Sequence, residues 1–119
     1  MITIMIVDDE PPLREVLALL LEDAGYRTII AAHGAQALEL WEREAVDLVI
    51  TDLMMPVMGG RELCTRLRDR GDVPIILMSA GGAEAAKEVP ADAFLAKPFD
   101  LGVAEDLVQE MLKRPTPAA

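Results

Sequence analysis

The feature of the sequence that most limits its fold is an alternation of five short apolar runs with longer segments of helical periodicity. The runs are rich in β-branched residues, as strands covered on both faces are. They lie at residues 2–7, 27–32, 47–52, 73–80 and 93–96. Strands that alternate with helices build a parallel sheet with helices on both of its faces. We therefore predict one α/β domain of the doubly wound type.

The intervening segments predict helices, one of which is short. Apolar residues recur at helical spacing after Pro11-Pro12, a pair that suits a first helical turn, and the pattern ends at Gly25. Further helices are predicted around Trp41, from Gly60 to near Gly71, and through Leu112. Between the fourth and fifth strands, residues 81–90 leave room for only about two turns, which is marginal for a helix.

Length, charge and cysteine content narrow the class of protein. The 119 residues suit a single domain, and a net charge of −10 argues against direct contact with nucleic acid or an anionic membrane. Cys64 is the only cysteine, so the chain has no internal disulfide and suits a reducing compartment. The first apolar run is too short to cross a membrane and has no signal-peptide pattern. We therefore expect a cytoplasmic protein.

Polar side chains stand where the predicted strands end. Asp8 and Asp9 follow the first strand, Asp52 closes the third, Ser79 lies near the end of the fourth and Lys97 follows the fifth. In doubly wound sheets these ends meet at one edge, where ligands bind. Two carboxylates 4 Å apart repel by about 4 kcal/mol near a protein surface, so a cation is expected among them. An all-oxygen cluster suits Mg²⁺ or Mn²⁺, and with a lysine and a hydroxyl it predicts a phosphoryl-binding site whose carboxylate can be the nucleophile.

Four stretches carry a resemblance to a known family. "VDDEP", "DLMMPVMGG", "LMSA" and "FLAKPF" occur in this order, each at the end of a predicted strand. Together they resemble the receiver domain of two-component response regulators. The resemblance covers residues 1–114 and leaves residues 115–119 as a disordered tail or the start of a linker. It implies a flavodoxin-like (βα)5 fold, with a doubly wound parallel five-stranded sheet in the order 2-1-3-4-5 and, here, a shortened fourth helix.

The resemblance also implies which residues hold the metal and the phosphoryl group. Asp52 is the expected phosphoryl acceptor. Mg²⁺, with Mn²⁺ as an alternative, is expected to bind Asp9, the Asp52 carboxylate and the backbone carbonyl of Met54. Asp8 is expected to act on the metal through water.

The remaining site residues are expected to respond to phosphorylation. By the resemblance, Lys97 pairs with Asp52 and then with the phosphoryl group, and receivers tend to hold the following bond to Pro98 in the cis form. Ser79 and Phe94 form the expected switch: the hydroxyl turns to the new phosphate and the ring moves inward behind it.

Two positions bear on how long the phosphorylated state lasts. In receivers, the residues two after the acceptor and two after the hydroxyl residue tend to position the hydrolytic water. Here they are Met54 and Gly81, whose side chains cannot hydrogen-bond water, so we expect slow hydrolysis. The short segment 81–90 has few apolar side chains to dock it, chiefly Val89 and Ala85, so we expect it to exchange amide hydrogens quickly. In the family, many members dimerise or bind partners at the face formed by helix four, strand five and helix five. Because the fourth helix is shortened here, the sequence assigns no output surface to this protein.

Alternatives to this interpretation follow from the same residues. Asp8 and Asp9 are also suitable helix caps, and His33, before a glycine, suits a solvated loop. An Mg²⁺-dependent phosphohydrolase with an aspartyl-phosphate intermediate would need a general acid, and no second Asp stands two residues after Asp52. A pseudo-receiver that binds partners without phosphorylation would lack at least one site residue, and none is lacking.

The expected function is thus that of a signalling domain and not of an enzyme with an external substrate. The expected partners are a sensor histidine kinase or phosphotransfer protein and an unidentified downstream protein, with a homodimer left open. Neither nucleic acid nor membrane is expected as a direct partner.

Overall fold

Five parallel strands form one sheet in the order β2-β1-β3-β4-β5. The computed structural model describes residues 1–113 of the chain, with Ala83 described by its backbone alone. The strands are β1 (Thr3–Val7), β2 (Arg27–Ala31), β3 (Leu48–Asp52), β4 (Ile75–Ser79) and β5 (Ala93–Ala96). The predicted flavodoxin-like fold and its strand order are confirmed.

Helices cover both faces of the sheet, as the alternation of strands and helices predicts. They are α1 (Pro11–Asp23), α2 (Gly34–Arg43), α3 (Gly60–Arg68), α4 (Gly82–Ala85) and α5 (Leu101–Lys113). Helices α1 and α5 pack against one face, and α2 and α3 pack against the other. None of the helices within residues 1–113 combines the length and the apolar character that a membrane crossing requires.

Two hydrophobic cores result from the alternation of side chains along each strand. In β1, Ile4 and Ile6 face α1 and α5, whereas Met5 and Val7 face α2 and α3. Every residue of β1, β3 and β4 is buried, while the edge strands β2 and β5 are partly exposed. The three central strands therefore form a fixed base, and residues at their carboxyl ends are held in defined positions.

Among the strands, the largest difference from the predicted bounds is at the start of β4. The strand was predicted from residue 73, but its pairing with β3 begins at Ile75, opposite Val49. Pro74 has no N–H to donate to a ladder, and the Val73 carbonyl accepts a hydrogen bond from Arg68 instead. Helix α3 likewise ends at Arg68, before the predicted end near Gly71. The predicted tail, residues 115–119, lies outside the described residues.

The fourth helix is short, as predicted, and at about one turn it is shorter than the roughly two turns for which residues 81–90 leave room. It has four residues, and the chain then turns through Glu88, whose φ is 67°. Ala85 and Val89 pack against the core of the α2–α3 face, as predicted, and Ala86 joins them. The segment is thus docked by small side chains and not by a full amphipathic helix.

Candidate functional site

The carboxyl ends of β1, β3, β4 and β5 surround a cavity of about 450 Å³. The cavity is lined by five of the predicted site residues, Asp9, Asp52, Met54, Ser79 and Lys97. Asp8 is fully buried directly behind them, in contact with Lys97. Phe94 does not line the cavity: it lies half-buried on β5, opposite Leu77 of β4.

The ammonium group of Lys97 lies among three carboxylates. Its Nζ is 3.0 Å from Oδ2 of Asp8, 3.3 Å from Oδ1 of Asp52 and 3.8 Å from Oε1 of Glu10. The peptide bond between Lys97 and Pro98 is cis, as expected. The pair of Lys97 with Asp52 was anticipated, whereas the closer contact with Asp8 was not.

The Asp8 carboxylate is a hydrogen-bond acceptor held in a fixed position, and it does not cap a helix. Its Oδ1 accepts a hydrogen bond from the Glu10 N–H at 2.7 Å, and its Oδ2 accepts one from Lys97. Helix α1 begins after Glu10 with no side-chain cap, so the alternative role of Asp8 and Asp9 as caps is wrong. Within residues 1–113, no buried polar side-chain atom lacks a hydrogen-bond partner.

The ionisation of Asp52 and Lys97 reflects their partly buried positions. Burial raises the pKa of Asp52; Lys97 opposes this effect and the charge of Asp8 adds to it. Burial acts to lower the pKa of Lys97, but the hydrogen bond and charge of Asp8, together with Asp52, raise it overall. Lys97 therefore stays positive, while Asp52 is a more basic carboxylate than usual.

The acidic cluster at the end of β1 offers oxygen ligands to a cation. Carboxylate oxygens of Asp8, Asp9 and Glu10 can all lie within 4.8 Å of one another. Asp9 and Glu10 are exposed. Both face the cavity with Asp52. Glu10 was given no role from the sequence, yet the structure places it beside Lys97.

Ser79 connects two sides of the cavity through hydrogen bonds. It is almost fully buried, its Oγ accepts a bond from the Gly81 N–H at 3.0 Å, and its carbonyl accepts one from the Lys97 N–H at 2.9 Å. A movement of the Ser79 side chain would therefore break its hydrogen bond to Gly81, at the start of the segment that contains α4.

The loop from Leu53 to Gly59 folds tightly over the end of β3. A Cβ on Gly60 would lie 2.2 Å from the backbone oxygen of Asp52, so only glycine fits at the start of α3. Met58 N–H donates to the Pro56 carbonyl across Val57, whose φ of 69° is a strained value for a β-branched residue.

The same loop is tied to α2 by contacts that the sequence did not indicate. Gly34 N–H donates to the Met58 carbonyl, and a Cβ on Gly34 would lie 2.7 Å from Met58 Cγ. His33, expected to be a solvated loop residue, caps α2 by accepting a hydrogen bond from the Gln36 N–H. The local signal for this cap was a polar residue directly before the helix, a position where such side chains accept N–H bonds.

A second, apolar groove of about 490 Å³ adjoins the cavity. It runs between the starts of α1 and α5 and is lined by apolar side chains, among them Leu13, Val16 and Phe99. Glu10, Ala80 and Lys97 belong to both the groove and the acidic cavity.

Fold and site together define a class of protein: a flavodoxin-like domain with an acidic pocket and a lysine at the carboxyl edge of its sheet. The family profile of the response regulator receiver domain matches residues 4–110, and the chain belongs to this family. Its function is that of a receiver in two-component signalling.

Three relatives illustrate the match. Response regulator GtcR of Aneurinibacillus migulanus is 40% identical, over 94% of this chain and 48% of its own length. Sensory transduction protein RegX3 of Mycolicibacterium smegmatis is 35% identical, over 96% of this chain and 52% of its own. The chain thus spans about half the length of these relatives. Among solved structures, the response regulator protein TrrA from Thermotoga maritima, crystallised in complex with Mg²⁺-BeF, superposes on this chain with a TM-score of 0.87. Its sequence is 33% identical, and the match covers 94% of this chain and 100% of the TrrA chain.

Proposed function

We propose that Asp52 accepts a phosphoryl group from a phosphohistidine of a sensor kinase or phosphotransfer protein. A carboxylate oxygen of Asp52 bonds to phosphorus while the P–N bond of the donor breaks, and the imidazole nitrogen takes up a proton as it leaves. The observation that carries the proposal is the position of Asp52, whose carboxylate closes β3 in an open cavity 3.3 Å from the Lys97 ammonium.

Mg²⁺, with Mn²⁺ as an alternative, fits the donor set of the cavity because all the candidate ligands are oxygens. Asp9, Asp52 and the Met54 carbonyl would hold the ion, and Asp8 would act through water. In support, Asp9 is exposed toward the cavity, whereas both oxygens of Asp8 already accept hydrogen bonds. When bound, the ion supplies positive charge that stabilises the transferring phosphoryl group.

Lys97 and Ser79 are proposed to bind the oxygens of the phosphoryl group. Asp8 accepts a hydrogen bond from the charged Lys97 and so orients its ammonium group beside Asp52. The Asp52 carboxylate therefore remains available to react. The Ser79 oxygen accepts from Gly81, and among residues 1–113 its own hydrogen has no acceptor, so it is available to a phosphate. Phe94 is proposed to follow the movement of Ser79, although it lies outside the cavity.

The apolar groove between α1 and α5 is proposed to seat the helix that carries the donor histidine. Its lining is almost entirely apolar, and Val16 and Leu101 are partly exposed there. Because the groove and the acidic cavity share Glu10 and Lys97, a helix in the groove would bring a histidine next to Asp52.

The proposal is tested with a small-molecule donor and a mimic of the phosphoryl group. Mg²⁺ and acetyl phosphate should label the parent protein, beryllofluoride should occupy the site, and Asp52→Asn should abolish both. Asp9→Asn should weaken Mg²⁺ binding measured by calorimetry. Full labelling of the Asp52→Asn protein would contradict the assignment of the acceptor.

The proposed activity has no external substrate: the chain assists its own phosphorylation and dephosphorylation, and the signal passes to a downstream protein. Family membership supports a cytoplasmic location, and the charge of −10 disfavours nucleic acid or an anionic membrane as a direct partner. Residues 1–114 are proposed as the receiver and 115–119 as a tail or linker.

A further inference from the structure

The short segment 81–90, which contains α4, forms one wall of the acidic cavity around Asp52. Ala85, the last residue of α4, lines this cavity together with Met54. The same two residues, with Leu53, also line a neighbouring groove of about 580 Å³ between α3 and α4. Ala85, with Leu53 and Met54, therefore forms the partition between the cavity that contains Asp52 and the α3–α4 groove.

A helix of four residues cannot hold this partition in place by its own hydrogen bonds. The Glu84 and Ala86 carbonyls accept turn hydrogen bonds from the Lys87 and Val89 N–H groups. Within residues 1–113, no backbone N–H donates to the carbonyl of Ala85 or of Lys87. The packing of the segment is also weak, because its apolar contacts come from Ala85, Ala86 and Val89. A donor from outside the segment can therefore pair with the Ala85 carbonyl and fix its position.

Arg61 on α3 supplies this connection. Its Nη1 donates to the Lys87 carbonyl at 3.1 Å, and its Nη2 lies 3.5 Å from the Ala85 carbonyl. One guanidinium thus takes up two carbonyls that a longer helix would have satisfied internally, and its planar fork suits this. These contacts join residues more than twenty positions apart in the chain.

We propose that Arg61 is a latch that sets the lifetime of the phosphorylated state by holding Ala85 between the cavity and the α3–α4 groove. When the latch is released, the segment moves away, the two spaces join, and water gains an additional approach to the phosphorus of phospho-Asp52, from the side that Ala85 covers. The water oxygen then bonds to phosphorus while the bond from phosphorus to the Asp52 oxygen breaks. Asp52 leaves as the carboxylate, and the protons of the water pass to the released inorganic phosphate and to solvent. Arg61 is a positioning residue in this scheme, since it acts through Ala85. The inference rests on the proposed function of Asp52.

The test compares Arg61→Met with Arg66→Met. Methionine keeps an apolar stem at position 61 and removes the donors. Arg66 is an exposed arginine on the same helix, and its side chain pairs with Glu62 and not with α4. After labelling with acetyl phosphate and removal of the donor, loss of label is followed with Mg²⁺ present. We expect Arg61→Met to lose label about three- to tenfold faster, the factor by which loss of a hydrogen bond raises the population of an open form. Arg66→Met should match the parent.

A second measurement separates a latch from a general effect on the site. Amide hydrogen exchange of residues 84–91 should be faster in Arg61→Met than in the parent, with the Mg²⁺ affinity from calorimetry unchanged. An unchanged rate of label loss in Arg61→Met, or an equal acceleration in Arg66→Met, would overturn the latch. If the parent itself takes no label at Asp52, the proposed function fails, which is distinct from failure of the latch.

Discussion

Replacing Gly60 by alanine tests whether the tight start of α3 sets the position of Asp52, the proposed phosphoryl acceptor. A Cβ at this position would lie 2.2 Å from the Asp52 backbone oxygen and 2.9 Å from Leu53 Cα. Both neighbours are backbone atoms, so no side-chain rotation can make room. Either the start of α3 or the end of β3 has to shift by almost an ångström.

The magnitude follows from two opposing effects. Alanine is favoured over glycine within a helix by about 0.5–1 kcal/mol, which would stabilise the variant. Overpacking costs about 1–3 kcal/mol, and the upper part of this range applies where backbone must move. We expect Gly60→Ala to lower the free energy of unfolding by about 1–3 kcal/mol. Because misplacing a reacting group by about 1 Å can cost 100-fold in rate, phosphorylation at Asp52 should slow by at least about tenfold.

The assays are urea unfolding followed by Trp41 fluorescence and labelling by acetyl phosphate. Gly102→Ala is the matched control, because Gly102 also lies in a first helical turn and its closest neighbour is the side-chain oxygen of Asp100. The control should keep the parent rate and gain up to about 1 kcal/mol. If Gly60→Ala is as stable as the control and is labelled at the parent rate, the close approach at Gly60 does not position the acceptor.

Three further changes have defined outcomes. Met54→Asn should speed loss of label, because an exposed amide at this position can hold a water near the phosphate; a side chain at Gly81 would instead press on Ala85 Cβ at 2.7 Å, so position 81 is left unchanged. Val16→Asp should slow phosphorylation by a phosphohistidine protein at least about tenfold and leave labelling by acetyl phosphate unchanged, since in the proposed function only the protein donor binds in the groove between α1 and α5. Asp52→Asn should stabilise the metal-free protein at neutral pH. The raised pKa of Asp52 means that its charge opposes folding above that pKa, so the gain should shrink as the pH falls through it, as measured by urea unfolding at several pH values.

The strands, and the gathering of most predicted site residues at one cavity, were predictable because their signals are local. Each strand at the site is a short, mostly apolar run. Each predicted site residue either ends such a run or lies within two residues of its end. Parallel topology then brings these ends together without further information. The position of α4 was predictable for the same reason, since Gly81-Gly82 and Pro90 bound a segment with little apolar character.

The contacts that orient the site were not predictable, because they join residues far apart in the chain. Nothing near Gly34 indicates that it abuts Met58, and nothing near Arg61 indicates that it reaches Lys87. The preference of Lys97 for Asp8 over Asp52 likewise depends on distances that only the packed sheet fixes. Sequence patterns predict the reacting groups, whereas the residues that hold those groups in place are found in the structure.

The hydrogen bonds of Ser79 imply a constraint on how such a protein can evolve. Its oxygen is bound to Gly81, at the start of the segment whose far end Arg61 holds. If a phosphate draws the Ser79 hydroxyl away from Gly81, the conformational change begins in the segment 81–90. By the proposed latch, the same segment also sets the lifetime of the phosphorylated state. Selection for a longer-lived phosphorylated state would then also alter the conformation presented to the downstream protein. Duration and output would be inherited together, and tuning one independently would need a compensating change elsewhere in the receiver.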